Sequence, residues 1–402
     1  MTMPASLFSS LRRCGAAAAF VLLTVAAGCG GVDSGGTGGA PSTFASGTIT
    51  GFGSIVVTAI HFDDRSASVH DGDGNARSRD DLRLGMTVEA SGGALFVDAD
   101  GNDASTATSI VFTSAIVGPV EANDTAARTL TVLGQPVDVA STTVFDDALV
   151  GGQAALSLGD VVEVYGNLDV ATGRFAATRI ERKSAAATYR LRGVVANLDA
   201  STRTFSIGGA RIGYGALPAA AIPSTLANGN FVRVALAVVP GAGGVWAAIR
   251  IDDGSPRIDD RDRAKVDGLI SALTSTTQFS VDGTPVDARN AQFPDGSAGI
   301  ALGRRVEVEG STVAGVLVAT RVRLEDAGGP DGGEFDVRGS VASLDASAKT
   351  FVVRNVVVSY AGTVDFRDGT AADLAVGRDV EARGTLSSDG TRLLATRIDF
   401  RH

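Results

Sequence analysis

Four groups of residues have types and spacing that suggest chemistry. Asp33-Ser34-Gly35-Gly36 has the local sequence of a serine nucleophile segment. Such a serine works only inside a rigid oxyanion loop beside a histidine base, and here it stands in a glycine-rich stretch. Asp71-Gly72-Asp73-Gly74-Asn75 and Asp98-Ala99-Asp100-Gly101-Asn102-Asp103 alternate oxygen-bearing side chains as calcium loops do. A bidentate acid at position twelve would complete them, and those places hold Leu82 and Ser109. The same composition makes Asp/Gly hairpin loops without any cation. Glu89, Glu163, Glu307 and Glu381 recur at one place in a repeated strand and suggest a carboxylate array. His61 and His70 stand apart from any Cys, Asp or Ser constellation, and Gly51-Phe52-Gly53 lacks the third glycine of a dinucleotide site. The expectation is a chain with no catalytic residue, no cofactor and no metal centre. Calcium on the Asp-rich loops is the exception left open.

Composition narrows the partners. The 402 residues carry a net charge of −10 with a pI near 4.9, the reverse of the basic footprint that phosphate binding needs. No nucleic acid is expected. Two Cys and three His make neither a disulfide scaffold nor a histidine-rich metal site. Nine of the acids are Glu and three of the bases are Lys, against 51 Gly, a balance that favours turns and strands over surface helices.

The N-terminus carries an address. Arg12 and Arg13 precede the uncharged apolar run Gly15–Ala27, too short for a transmembrane helix and suited to a signal h-region. It ends in Val25-Ala26-Ala27-Gly28-Cys29. That segment resembles a bacterial lipobox, with Ala26 where leucine is usual, and it makes Cys29 the residue to be lipidated. The sequence from Gly30 to Pro41 is glycine-rich and reads as a flexible tether. Gly30, rather than an acid, after the cysteine points to the outer membrane. Loss of Arg12 and Arg13 with the signal takes the charge to −12.

A repeat organises the remainder. An apolar strand enters a glycine at Gly51, Gly118, Gly193, Gly268 and Gly339. A turn glycine then precedes a Val-Glu strand at Leu84-Gly85, Leu158-Gly159, Leu302-Gly303 and Val376-Gly377, with a worn copy at Asn228-Gly229 where Arg233 replaces the glutamate. A closing strand follows, as in Ala177-Thr178-Arg179-Ile180, Ala319-Thr320-Arg321-Val322 and Ala395-Thr396-Arg397-Ile398. Period-two patterning inside each unit predicts strand-strand-strand-loop-strand-strand. The fold class is therefore all-β, a tandem array of about five small five-stranded OB-like barrels after a signal peptide and flexible tether. The boundaries read 1–28 signal, 29–45 tether, then repeats at 46–115, 116–184, 188–253 (degenerate), 264–327 and 334–402. Pairing Glu163 with Arg179, Glu307 with Arg321 and Glu381 with Arg397 centres the last hairpin on turn sequences. It also puts the glutamates on an exposed outer face as register and solubility devices. Phe205, Phe279 and Phe351 recur at one strand position and read as core. The aromatic residues left for a binding platform are Trp246, Tyr165, Tyr189, Tyr214 and Tyr360.

Two segments resemble a known family: Gly47-Thr48-Ile49-Thr50-Gly51-Phe52-Gly53-Ser54-Ile55-Val56-Val57, and Ser78 to Glu89 with its L-x-x-G-x-x-V-E core. The likeness is to bacterial lipoproteins built from the domain catalogued as domain of unknown function 5666, clearest in the N-terminal unit and weakest in the third. The resemblance implies export and a repeated β-domain and carries no catalytic residues. The function expected is a non-enzymatic, membrane-anchored envelope lipoprotein presenting its β-domains for binding or assembly, with an envelope protein or polysaccharide as partner. The alternative is a module for a small molecule, oligosaccharide or calcium on one barrel. Oligomeric state is left open.

Overall fold

The computed structural model describes residues 41–401 apart from 255, 257 and 326–332; Cys29, the signal and most of the tether lie outside the described residues. Among the described residues there is no α-helix, only strands and short 3-10 turns. The second unit shows the plan. Its strands run Ile116–Asp124, Thr129–Val132, Gln135–Phe145, Val161–Asp169 and Arg174–Lys183. The first pairs with the second and the fourth, the second with the third, and the fifth with the fourth. The third and fifth close the ring in parallel. That circuit, 1-2-3-5-4-1, makes a five-stranded OB-like barrel. The other units repeat it, closing through parallel pairs at His61↔Ala104, Ile212↔Trp246, Val286↔Leu317 and Val358↔Leu393. The expected all-β array of barrels is the fold observed.

Glycine at the first anchor is required by close approach. The long first strand crosses its own second strand there, and a Cβ at Gly193 would sit 2.4 Å from Ile207. One at Gly118 would sit 2.7 Å from Leu133, and one at Gly51 2.8 Å from Val56. Phe205, Phe279 and Phe351 are buried in the barrel interiors, as their position predicted.

The register of the last hairpin differs from the expected one by two residues. Glu163 lies opposite Glu181, Glu307 opposite Arg323, and Glu381 opposite Asp399. One residue of the difference is a bulge that counting in twos overlooks. The other is the loop, which is centred between two residues, with Asp169 opposite Arg174, Val313 opposite Val316 and Leu386 opposite Leu393. The register slips between Tyr165 and Gly166, Glu309 and Gly310, and Arg383 and Gly384. At Gly166, with φ +148, a Cβ would lie 2.1 Å from the Ala176 carbonyl oxygen of the partner strand, so no other residue fits without a shift of backbone.

The barrels are welded to one another out of sequence order. The first strand of unit one begins at Thr43, inside the stretch assigned to the tether, because Thr43 to Ser46 pairs in parallel with Arg263 to Val266 of unit four. The first strand of unit four begins at Arg261, which pairs with Thr312 of the same barrel, and meets unit one from Arg263. Further along the unit-one strand, Gly51 and Phe52 pair with Asp336 and Val337 of unit five. Units two and three join through Val117↔Arg190 and Ile116↔Leu191. The buried apolar residues follow this order: one cluster spans units one and five and takes in Val144 and Tyr165 of unit two, a second units two and three, and a third unit four with Phe44 of unit one.

Candidate functional site

Strands one, four and five of each barrel turn an outward face that carries the recurring charged residues. The glutamates on it are not exposed. Glu163, Glu307 and Glu381 retain 7%, 7% and 4% of their surface, because neighbouring barrels cover the face that period-two reasoning left to solvent. In unit two, Lys183 Nζ lies 2.6 Å from Glu163 and 3.0 Å from Glu181. Arg179 Nε donates to Glu181 at 2.6 Å, and its Nη1 donates to the Leu84 carbonyl of unit one at 3.1 Å. Burial works against ionisation of Glu181, but Arg179 and Lys183 outweigh it and hold the carboxyl below its usual range.

Above this face is a cavity of about 500 Å³ between units one and two. Asp71, Arg77, Arg83, Met86 and Phe112 of unit one wall it on one side, and Arg190 closes one end. Arg77 and Asp71 form a 2.6 Å ion pair. Burial opposes it, yet bonds from Asn75 and Arg77 keep Asp71 at about 2. Tyr165 also lines the cavity with 1% of its surface exposed, and burial followed by the nearby Glu163 and Glu181 pushes its hydroxyl well above its ordinary range.

Unit three shows the same face closed. Arg190, Arg192, Arg233 and Arg250 make it basic, and Asp73 of unit one enters it. Asp73 pairs with Arg190 at 2.6 Å, with Arg250 at 2.5 Å and with Arg233. The arginine that replaces glutamate in the worn copy is therefore a docking residue. Arg192 bonds the carbonyls of Gly254 and of Asp282 in unit four, and burial lowers its guanidinium while it raises Glu89 and pushes Asp282 up to about 6.

The second Asp-rich loop is a clasp as well. Asp98 Oδ1 accepts from the backbone of Asp100 and Asn102, and Asp100 reaches Arg338 at 3.1 Å and Arg401 at 3.0 Å in unit five. Asp73 and Asp100 thus pair with arginines of other barrels, while Asp98 bonds its own turn and Asp71 its own turn and Arg77. No group of three or more His, Cys, Asp or Glu is arranged for a metal among the described residues. His61 Nδ1 is 3.9 Å from Asp98, and burial lowers its pKa; His70 belongs to the strand Ser68–Asp71 beside the first loop.

In unit five Arg383 pairs with both Asp336 and Glu381, and Arg401 also reaches Glu381. Burial, then the Glu381 carboxylate, pushes Asp336 up to about 7, while Glu381 is held low by Arg401 and Arg383 against its own burial. In unit four Glu307 takes Lys265 at 3.1 Å.

The aromatic residues separate into two kinds. Trp246 stands edge-on to Tyr189, with centroids 5.6 Å apart, Tyr214 leans on Phe205 at 5.9 Å and Tyr360 on Phe351 at 6.0 Å. They are packing residues. Tyr165 is in no such ring pair among the described residues. Its place on the fourth strand is held by Ser91, Ala235, Glu309 and Arg383 in the other units, and that departure was the available sequence signal.

Comparison with known proteins places three of these barrels. Residues 117–181, 267–323 and 338–399, which lie in units two, four and five, match the family described as Domain of unknown function (DUF5666). Units one and three lie outside the matched residues, although the N-terminal unit carries the two quoted segments. No curated protein matches the chain. Among solved structures it is similar to a Drosophila chain described as "drosophila Unr CSD456", at 13% identity over 54% of this chain and 98% of that one, with a TM-score of 0.14.

Proposed function

We propose that this chain is a non-enzymatic bacterial envelope lipoprotein. It is anchored in the membrane through lipid on Cys29 and presents a rigid body of five small barrels for binding or assembly. The observation that carries the reading is the order of segments: a positive n-region, a short apolar run, small residues before Cys29, a glycine-rich tether, then β-domains. Two or three acyl chains at about 0.8 kcal/mol per buried methylene hold a protein at a bilayer where one chain does not. No helix among the described residues is long and apolar enough to cross a membrane. The outer membrane, facing the periplasm or the cell surface, is the destination that Gly30 favours.

The body supports a binding role through its stiffness. Barrels joined by strand pairing and by arginine clasps keep fixed distances between their free surfaces, so a partner meets preorganised groups and little ordering remains to oppose association. Replacing Cys29 by Ala tests the anchor. The expected outcome is transfer of the chain from the membrane pellet to the soluble fraction, with changed electrophoretic mobility. Unaltered membrane association and mobility would end the reading. A second reading, ligand binding on one barrel, is favoured by the cavity beside Tyr165.

A further inference from the structure

We infer that the cavity between units one and two is a binding site for a neutral, polyhydroxylated ligand of one or two sugar rings, with Tyr165 as its central contact. The inference deepens the binding role proposed above and is independent of the lipid anchor.

Three observations carry it. The first is a phenol at the cavity wall that no sibling barrel has. Tyr165 keeps 1% of its surface and lines the cavity, and its hydroxyl makes no hydrogen bond to any described residue. The sibling barrels hold Ser, Ala, Glu or Arg at this strand position, so the phenol belongs to the barrel that carries the cavity and offers its hydroxyl there. Arg190 adds an unpaired donor, since its Nε is buried without a partner at the same cavity.

The second observation is charge balance. Five acids (Asp71, Asp81, Asp146, Glu163 and Glu181) line the cavity with five bases, Arg77, Arg83, Arg179, Lys183 and Arg190. Such a wall gives no net attraction to an anion or a cation. Instead it offers planar carboxylates and guanidinium groups at close spacing. Those are the acceptors and donors that take adjacent hydroxyls in pairs.

The third is the remaining wall. Met86, Phe112, Val117 and Ala186 give the cavity an apolar side, which suits the C–H face of a sugar ring. A volume of about 500 Å³ lies within the range of small-molecule sites.

The test uses the full chain with three neutral disaccharides as probes, cellobiose, maltose and N,N′-diacetylchitobiose, each at millimolar concentration. Glycine betaine serves as the zwitterionic control. Saturation-transfer NMR and calorimetry read binding. At least one disaccharide is expected to bind and betaine is not. Tyr165→Phe, which removes the hydroxyl alone, should weaken that binding about tenfold and leave the melting temperature in place. Ala187→Trp, at the exposed mouth, should abolish it. Binding should survive Cys29→Ala, so failure of the anchor and failure of this site are separate results. The inference is overturned if none of the disaccharides binds, if betaine binds in their place, or if Tyr165→Phe binds as tightly as the parent chain.

Discussion

Units two and three present the same outward face on the same barrel, and one is open while the other is shut. In unit two the face carries Glu163, Glu181, Lys183 and Arg179 in mutual ion pairs, with a cavity above them. In unit three the glutamate is replaced by Arg233, the face turns basic, and Asp73 of unit one is drawn into it. A charge-balanced face satisfies itself and stays available, whereas a face of one sign must take its counter-charge from another barrel. The repeat thus uses one surface for two ends, internal docking and an unfilled site, and the choice rests on Arg190 and Arg192 of the first strand together with Arg233 of the fourth, where unit two has Ala115, Val117 and Glu163.

The largest effect should come from the device that shapes the open face. Gly166→Ala places a Cβ 2.1 Å from the Ala176 carbonyl at φ +148, and denaturant unfolding should show a loss of about 4 kcal/mol or more. Gly159, whose φ is also positive but which has nothing within 4 Å, should lose only about 1 kcal/mol on the same substitution. Equal losses at the two positions would mean that the bulge does not set the face.

The closed face can be broken next. Asp73→Ala leaves Arg190, Arg233 and Arg250 without their shared carboxylate, a loss of about 3 kcal/mol for a largely buried pair. Glu163→Gln on the open face should cost about 1 kcal/mol, since Lys183 keeps Glu181. If both variants melt together, the two faces are not energetically distinct. The turn before the fourth strand offers a matched pair. Leu84 is buried at 2% exposure, in the tip that docks against Arg179 and Val144 of unit two. Its counterpart Leu158 is 68% exposed. Leu84→Ala should cost about 2–4 kcal/mol and Leu158→Ala under about 0.5 kcal/mol.

Much of a single barrel was legible in the residues. The five anchor glycines, the turn glycines and the buried Phe205, Phe279 and Phe351 are local requirements of one chain crossing itself, so they repeat with the unit. The hairpin register was misread by two, one residue because the loop is centred between residues and one because strict alternation has no place for a bulge, although the glycine four residues after Val88, Val162, Val306 and Val380 recurs in plain view. Docking between units was not legible. Asp73 and Arg233 are 160 residues apart, and only the assembled barrels show that an apparent calcium loop is a clasp. Tyr165 lay between these cases: its departure from the repeat could be read, but the cavity it faces is built by a different unit.

The smallest effect separates the two kinds of face by pH. Acids at the welded junctions are raised, Asp336 to about 7 and Asp282 to about 6, while Asp71 beside the open cavity is held at about 2. A carboxyl whose folded pKa is raised stabilises the fold fully below its unfolded value near 3.8 and loses that contribution as pH climbs through the folded value. Asp71 has the opposite sign, and its contribution is complete above 3.8 and fades only as pH drops toward 2. Between pH 4 and 7 the junction acids lower the melting temperature as pH rises, and His61, whose pKa burial lowers from 6.5, offsets part of that fall. The fall is limited because Asp336 and Glu381 hold one proton between them, which titrates as a property of the pair. Asp336→Asn should flatten the slope by roughly 2 °C, whereas Asp71→Asn should leave it unchanged and remove only the acid limb. A slope that persists in Asp336→Asn would place the pH-sensitive contact elsewhere than the seam between units one and five.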